Sequence, residues 1–240
     1  MVRNNIDRYN ILDDIAKIYS EDKGFENTLM KYKILEITKF CKGKTMLDIG
    51  CGVGTLTKAL SPFFDHVTAI DGSKIKIQKA KKNNSAINIK YIHTIFEEYN
   101  PEMKFDFIVS TNVLEHVNNP IFFLKKIKML LSAKGRVVMT VPNALGLHKR
   151  IGRAMGLISN FYQLTTEDLK KGHKRIYDSM SLKNEFLSAG YQIKHIGGIL
   201  LKPLSHKQMV SWDVRIIDAL YEIGQELPEY CSSLIIVAVH

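Results

Sequence analysis

The sequence predicts an α/β fold of the Rossmann-like, doubly wound type with a seven-stranded sheet. Two observations predict it. Short apolar, strand-like runs alternate with longer helical stretches, and a glycine-rich turn follows the first of these runs. Such alternation is typical of a mostly parallel sheet with helices on both faces. Because crossover connections are right-handed, the order of the elements also fixes the direction of winding.

The first part of the chain contains the regular elements of this core. Residues 6–40 have the apolar spacing of helices. Strands are predicted at Thr45–Ile49, His66–Ile70, Ile87–His93, Phe105–Ser110 and Gly135–Val141, and helices at Leu56–Leu60, Lys74–Asn83 and Pro120–Leu131.

The alternation stops after Val141 and returns near residue 181. Residues 142–178 hold a proline, four glycines and many basic residues, a pattern that indicates a helical cap inserted over the strand ends. Helices are then predicted at Ser181–Ala189 and Lys207–Tyr221, and strands at Tyr191–Leu200 and Ser233–Val239, the last one antiparallel. We expect one domain over 1–240, made of N-terminal helices (1–42), a ligand-binding core (43–142), the cap (143–178) and a C-terminal part (179–240).

Composition narrows the class of protein. With 34 basic and 24 acidic residues the net charge is +10, which favours anionic partners, although a generally lysine-rich surface explains it as well. No apolar run approaches the roughly 20 residues that cross a bilayer, and no signal peptide is visible at the start. The three cysteines lack metal-type or paired spacing. We therefore expect a cytoplasmic protein with no metal and no membrane span.

The glycine-rich turn carries most of the functional information. It reads Asp-Ile-Gly-Cys-Gly-Val-Gly from Asp48 to Gly54, and Thr55 stands where a dinucleotide fingerprint needs its third glycine. A carboxylate at Asp48 suits an ammonium group better than a pyrophosphate. Asp71, at the tip of the second strand, can accept hydrogen bonds from ribose hydroxyls. The turn therefore favours a cationic nucleoside over NAD.

These residues resemble class I S-adenosylmethionine-dependent methyltransferases. The pattern Asp48-x-Gly50-x-Gly52-x-Gly54, with Asp71 on the next strand, is similar to that family's first two motifs. The run from Phe105 to Val109, followed by Asn-Val-Leu-Glu-His-Val, resembles the fourth-strand motif of ubiquinone-biosynthesis-type O-methyltransferases. The cap more loosely resembles that of bacterial methyltransferases in surface-polysaccharide pathways.

The resemblance implies S-adenosylmethionine as cofactor and assigns its contacts. Gly50, Gly52 and Gly54 would form the turn around the methionine moiety, with Asp48 near its amino group and Asp71 on the ribose. Thr94, Ile95 and Phe96 would flank the adenine, where the family often has an acid that this sequence lacks. Asn112 and Leu114 would lie near the methionine carbon chain.

Histidines are the candidates for acid–base work. Methyl transfer needs a base only when the acceptor's pKa lies well above the working pH. His116 follows Glu115 at the fourth-strand tip and is a candidate catalytic residue, as is His173 in the cap. His148 and His173 are also candidate acceptor-binding groups, and each could instead be a plain surface residue.

The cap also carries the charge that selects an acceptor. Between Gly146 and Arg175 seven basic residues face two acidic ones, and Arg150 and Arg175 are the candidate anion-binding residues. A solvated basic face is the alternative. We expect O-methylation of a small anionic metabolite that is phosphorylated, nucleotide-linked or sugar-derived.

Three other functions stay open at this point. The acceptor atom could be a nitrogen, in an amino sugar or a nucleotide-linked amine. An RNA methyltransferase is disfavoured because the fourth strand lacks an Asn/Asp-Pro-Pro-aromatic run and no Pro-Cys pair exists. A non-catalytic, cofactor-binding partner subunit is the third alternative. The sequence does not determine the oligomeric state.

Overall fold

A seven-stranded sheet with helices on both faces organises the chain. The computed structural model describes residues 2–18 and 24–240, so positions 19–23 of the helical stretch predicted over 6–40 lie outside the described part. The strands are β1 (Thr45–Ile49), β2 (His66–Asp71), β3 (Ile89–His93), β4 (Phe105–Thr111), β5 (Leu131–Pro142), β6 (Gln192–Leu201) and β7 (Cys231–Val239). The helices are α1 (Val2–Ile18), α2 (Phe25–Thr38), α3 (Thr55–Leu60), α4 (Lys74–Asn83), α5 (Pro120–Leu130), α6 (Leu147–Ala154), α7 (Thr166–Lys170), α8 (Ser179–Ser188), α9 (His206–Met209) and α10 (Val214–Glu226).

The strand order is β3-β2-β1-β4-β5-β7-β6, which confirms the predicted fold class. The pairs β1–β2, β1–β4, β2–β3 and β4–β5 are parallel, whereas β7 pairs antiparallel with both β5 and β6. Two features of this topology matter for the site. The winding reverses at β1 and β4, which is where ligands bind in open α/β sheets. The antiparallel β7 also starts at the edge where the other strands end.

Two apolar layers hold the helices to the sheet. On one face Leu47, Ile108 and Val137 pack with Phe123 of α5 and Phe186 of α8. On the opposite face Met46, Val67 and Phe107 pack with residues of α2, α3 and α10. Strands buried on both faces read as continuous apolar runs, which is why the sequence revealed them.

Local signals set most helix boundaries. The Ser73 hydroxyl accepts from the Lys76 amide at the start of α4, and the Asn119 side chain does the same for Phe122 at the start of α5. The single helix predicted at Lys207–Tyr221 is wrong. The chain forms α9 and then α10, because the Asp213 carboxylate accepts from the Arg215 amide and starts a new helix. Ile87 is fully exposed and precedes β3 rather than joining it.

The segment 143–178 contains two short helices, α6 and α7. Its return to the core is fastened by the Lys174 amide, which donates to the Glu115 carbonyl at 2.9 Å. Within the described ranges, no helix is both long and apolar enough to cross a bilayer.

Candidate functional site

A cavity of about 380 Å³ opens at the edge where the parallel strands end. Its floor comes from the ends of β1, β2 and β4, and its walls come from α1, α2 and the cap. A cavity of this size is large enough for a small ligand. Residues of the segment 143–178 line it together with the strand ends.

The glycine turn reaches the cavity through Gly50. Its φ is 76°, and a Cβ atom there would lie 2.4 Å from Val113 Cγ2, so only glycine fits. Four amides of the turn are already bonded within the protein, and the Gly52 amide among them donates to Asp71. Gly50 and Cys51 donate to the Ile70 carbonyl, and Gly54 donates to the Cys51 carbonyl. These amides do not form the open cradle that a pyrophosphate requires.

Asp71 is the carboxylate that faces the cavity at the second strand tip. It accepts from the Gly52 amide at 2.9 Å and from the Ser73 amide at 2.7 Å, which fixes its orientation. Asp48 is buried, at 1% exposure, and accepts from the Thr57 hydroxyl at 2.6 Å. It lies beneath the turn and lines a smaller hollow beside Gly50 rather than the main cavity.

Besides Asp48, three residues expected at the cofactor do not line the cavity. Gly52 contributes its amide to Asp71 instead. Gly54, at φ 82°, lets α3 begin close to Tyr91, whose hydroxyl would lie 2.5 Å from an added Cβ. Leu114 is a core residue at 1% exposure. The sequence pattern located the turn correctly but did not distinguish residues that face a ligand from those that support the turn.

The residues expected to flank the adenine lie on the cavity wall. Thr94, Ile95 and Phe96 all line it, and the Ile95 amide donates to the Tyr9 hydroxyl of α1 at 3.2 Å. Glu97 also lines this wall, so a carboxylate directly follows the three residues expected around the adenine.

Asn112 lies at the end of β4 with a φ of 54°, which is rare for a residue other than glycine. Its side-chain oxygen accepts from Lys33 Nζ at 2.9 Å and from the Thr140 hydroxyl at 3.2 Å. Such backbone strain, of about 1–3 kcal/mol, persists where surrounding contacts over-determine it and is common at functional sites. Lys33, from α2, is buried at 5% exposure and was not foreseen from the sequence.

The two predicted catalytic histidines lie side by side. The His116 and His173 rings meet edge to face, with centroids 4.8 Å apart, and both line the cavity. Burial lowers the pKa of His116 to about 4 and raises that of the adjoining, fully buried Glu115 to about 7. One polar atom from each of Glu115, His116 and His173 lies within 4.8 Å of the others, so these residues could also gather around a metal ion, which the sequence did not suggest.

Lysines dominate the half of the cavity beneath the cap. This group, which we call the lysine cluster, consists of Lys33, Lys149, Lys171 and Lys202. Glu26 lies among them, 3.1 Å from Lys171 Nζ. Lys202 follows β6 directly, is 6% exposed, and has its pKa lowered to about 8 by burial.

His148, a candidate acceptor-binding residue from the sequence, also lines the cavity. Burial lowers its pKa to about 3, so it is neutral at physiological pH.

The two arginines expected to bind the acceptor do not line the cavity. Arg150 donates from Nε to the Leu145 carbonyl at 2.8 Å and stacks on Tyr230, with its guanidinium 4.6 Å from the ring centroid. Arg175 donates to the carbonyls of Leu114, Val117 and Asn118 and so fastens the cap to the loop after β4. The expectation is corrected: these guanidinium groups hold the cap together, and lysines supply the charge at the cavity.

Comparison with known proteins agrees with this architecture. A family model described as a methyltransferase domain matches residues 25–196. A ubiquinone biosynthesis O-methyltransferase of Pelagibacter ubique is 34% identical over 122 residues, which cover 49% of this chain and 50% of that protein. The chain thus spans about half the length of the first curated relatives it matches, or somewhat less.

Two solved structures have similar folds. An S-adenosylmethionine-dependent methyltransferase from Mesorhizobium loti superposes with a TM-score of 0.66 at 18% identity, covering 90% of this chain and all of the other. The N-methyltransferase NodS of Bradyrhizobium japonicum, solved with S-adenosyl-L-homocysteine, gives a TM-score of 0.59 at 15% identity, covering 91% of this chain and 88% of the other. At these identities the likeness concerns the fold alone.

Proposed function

This chain belongs to the methyltransferase-domain family, and on that premise we propose that it methylates an oxygen atom of a small anionic metabolite. The methyl donor is S-adenosylmethionine, whose sulfonium supplies an activated methyl group. The lysine cluster is the observation on which the choice of acceptor depends.

The residues of the cavity fit the cofactor. Asp71 would accept from the ribose hydroxyls, Thr94 to Phe96 would enclose the adenine, and Gly50 with Asn112 would border the methionine end. Two observations support this placement. The Asp71 carboxylate is held in place by two amides, and the amides of the glycine turn are engaged within the protein rather than open to phosphates.

The lysine cluster supports an anionic acceptor. Its four ammonium groups line the cavity, and Glu26 and Asp168 are the carboxylates that interact with them. Partial burial strengthens their attraction for a phosphate or carboxylate, because the effective dielectric is lower than that of water. A cationic amine would meet repulsion there, which favours an oxygen acceptor or an amine carried on an anionic molecule.

Catalysis then rests mainly on alignment. Methyl transfer is an in-line displacement, and holding an acceptor oxygen opposite the leaving sulfur can contribute roughly 7–11 kcal/mol. His173 is the proposed base for an acceptor hydroxyl. His116, whose pKa is strongly lowered, packs against its ring.

A direct experiment tests this function. The chain is titrated calorimetrically with S-adenosylmethionine and then incubated with a panel of sugar phosphates, nucleotide sugars, carboxylic acids and their uncharged counterparts, with methylation read by mass spectrometry. We expect methylation within the anionic set and none of the uncharged counterparts. Methylation of neutral acceptors alone would refute the anionic class, and absence of cofactor binding would refute the function itself. Methylated nitrogen in an anionic product would replace the oxygen acceptor with an amine.

A further inference from the structure

Asp168, which the sequence motifs did not single out, lies against the proposed base. Its Oδ1 atom is 3.1 Å from His173 Nδ1, and both residues line the cavity. We propose that Asp168 is a positioning residue that fixes the orientation and tautomer of His173, so that Nε2 is presented to the acceptor hydroxyl. This inference rests on the proposed function for its chemistry, although the geometry can be tested without any acceptor.

Residues 165–173, which we call the bracket, contain α7 and the hydrogen bonds at both of its ends that hold this pair in position. At its start, the Asp168 Oδ2 atom accepts from the Thr165 amide at 2.9 Å and from the Thr165 hydroxyl at 2.7 Å, while the Asp168 amide donates back to that hydroxyl. This reciprocal capping box fixes the carboxylate from one side. The other oxygen, Oδ1, is left to face His173.

The end of the bracket returns the chain to Asp168. The Gly172 amide donates to the Leu169 carbonyl, and the His173 amide donates to the Asp168 carbonyl at 2.9 Å. These two bonds form a Schellman motif, which needs the left-handed conformation that Gly172 adopts at φ 82°. A helix of only five residues thus uses one aspartate for its cap, its closing bond and the imidazole contact.

The carboxylate remains ionised across the working pH range. The His173 ring in contact with Asp168, together with the hydrogen bonds from Thr165, holds the pKa of this carboxyl well below its ordinary value despite partial burial. An ionised carboxylate accepts and does not donate, so its neighbour Nδ1 carries the proton in neutral His173 and Nε2 is left as the basic atom. The His116 ring packs edge to face against the imidazole, whose Nδ1 lies on Asp168, and His173 lines the cavity.

The proton and electron balance follows from this arrangement. The acceptor O–H gives its proton to His173 Nε2 as the oxygen forms a bond to the methyl carbon, and the carbon–sulfur pair leaves with sulfur. The products are the methyl ether, the neutral thioether and an imidazolium paired with the Asp168 carboxylate. Solvent takes up the proton after the products leave.

The decisive measurement is the tautomer of His173, read from ¹⁵N chemical shifts in histidine-labelled full-length protein with S-adenosyl-L-homocysteine and EDTA. His173→Gln assigns the signal. In the wild type above pH 8 we expect Nδ1 to be protonated, and in Asp168→Asn we expect a mixture or the opposite tautomer. An Nε2-protonated wild type, or an unchanged Asp168→Asn spectrum, would overturn the proposal.

Two controls separate positioning from helix stability and general charge. Thr165→Ala weakens the capping box but leaves the Asp168–His173 pair, and Glu167→Gln removes a neighbouring exposed charge. Both should keep the wild-type tautomer. If Thr165→Ala reproduces the Asp168→Asn change, Asp168 acts through the helix alone. A His173 signal that moves when zinc replaces EDTA would assign the ring to a metal and likewise overturn the proposal.

An activity arm completes the test. With any acceptor that the mass-spectrometric panel identifies, Asp168→Asn should lower kcat at least tenfold, with KM and the cofactor Kd within twofold. A KM change with constant kcat would contradict a positioning role. Failure of cofactor binding in the wild type would refute the proposed function but leave the tautomer result to stand or fall on its own.

Discussion

Single residues at this site are of two kinds. Some line the cavity, and others hold the lining residues in position. Gly52 and Asp71 illustrate the division: the glycine amide does not reach the cavity, yet it fixes the carboxylate that does. Sequence motifs record both kinds together, because both must be present for the turn to form. Separating them required the hydrogen-bond partners, which depend on the folded backbone.

Asp71→Asn should weaken S-adenosylmethionine binding at least tenfold, or about 1.4 kcal/mol. The amide keeps the shape of the side chain but replaces a charged acceptor with a neutral one, and one of its two positions becomes a donor. Isothermal titration calorimetry measures the change. Asp65→Asn, at an exposed position, is the matched control and should bind as the wild type does. Equal affinity in Asp71→Asn would contradict the placement of the ribose.

Lys202 should give the proposed acceptor site a pH dependence. Its pKa is lowered to about 8, so the ammonium is charged below that value and neutral above it. The acceptor KM should therefore rise as pH increases through about 8. Lys202→Met should raise KM roughly tenfold at pH 7 and flatten this dependence, since a charged hydrogen bond is worth about 1.5–3 kcal/mol. Lys207→Met, on the exposed side of α9, should behave as the wild type. A pH-independent KM in the wild type would remove Lys202 from the acceptor site.

Secondary-structure elements were predicted well where local signals mark their limits. The strand β1 and the helix α4 have the predicted bounds, because a doubly buried strand and a capped helix leave local signals. The roles of the cap's arginines could not be predicted in this way. Its arginines have the composition of an anion site, but their donors bond backbone carbonyls of Leu145, Leu114 and Val117, and composition does not reveal such partners. Lys202 could have been predicted as a site residue, because it directly follows β6 at the edge of the sheet where the cavity opens.

The end of α7 should be sensitive to Gly172→Ala. A left-handed conformation costs a residue with Cβ roughly 1–2 kcal/mol, and the added atom would lie 3.1 Å from Ile15 Cδ1. We expect a Tm lower by about 2–8 °C and a loss of kcat because His173 follows directly. Thermal unfolding and turnover measure the two effects. Gly152→Ala is the matched control, because its φ is ordinary and a Cβ there has no neighbour within 4 Å. Unchanged kcat in Gly172→Ala would separate the bracket from catalysis.

At the level of the whole molecule, burial of neutral histidines links stability to pH. The pKa of His148 is lowered to about 3, and those of His116 and His206 to about 4, in each case first by desolvation. In the unfolded chain these groups titrate near 6.5. Below about pH 6.5 these histidines therefore bind protons in the unfolded state but not in the folded state. The free energy of unfolding should decrease as pH falls from about 6.5 towards 4.

The Tm at pH 5 should accordingly be several degrees below that at pH 7. His148→Gln should reduce this difference, since glutamine takes up no proton in either state. His66→Gln, at an exposed position, should leave the difference unchanged. Differential scanning calorimetry at the two pH values decides the matter, and a Tm difference that His148→Gln does not alter would exclude this histidine as a source of acid sensitivity.

The internal hydrogen bonds of the glycine turn affect which nucleotides can compete for the cavity. ATP and dinucleotides are abundant anions, and a loop with unengaged amides would attract them continually. Here the carbonyls of Ile70 and Cys51 already accept hydrogen bonds from amides of the turn. We therefore expect the turn itself to offer little binding to the phosphates of such competitors.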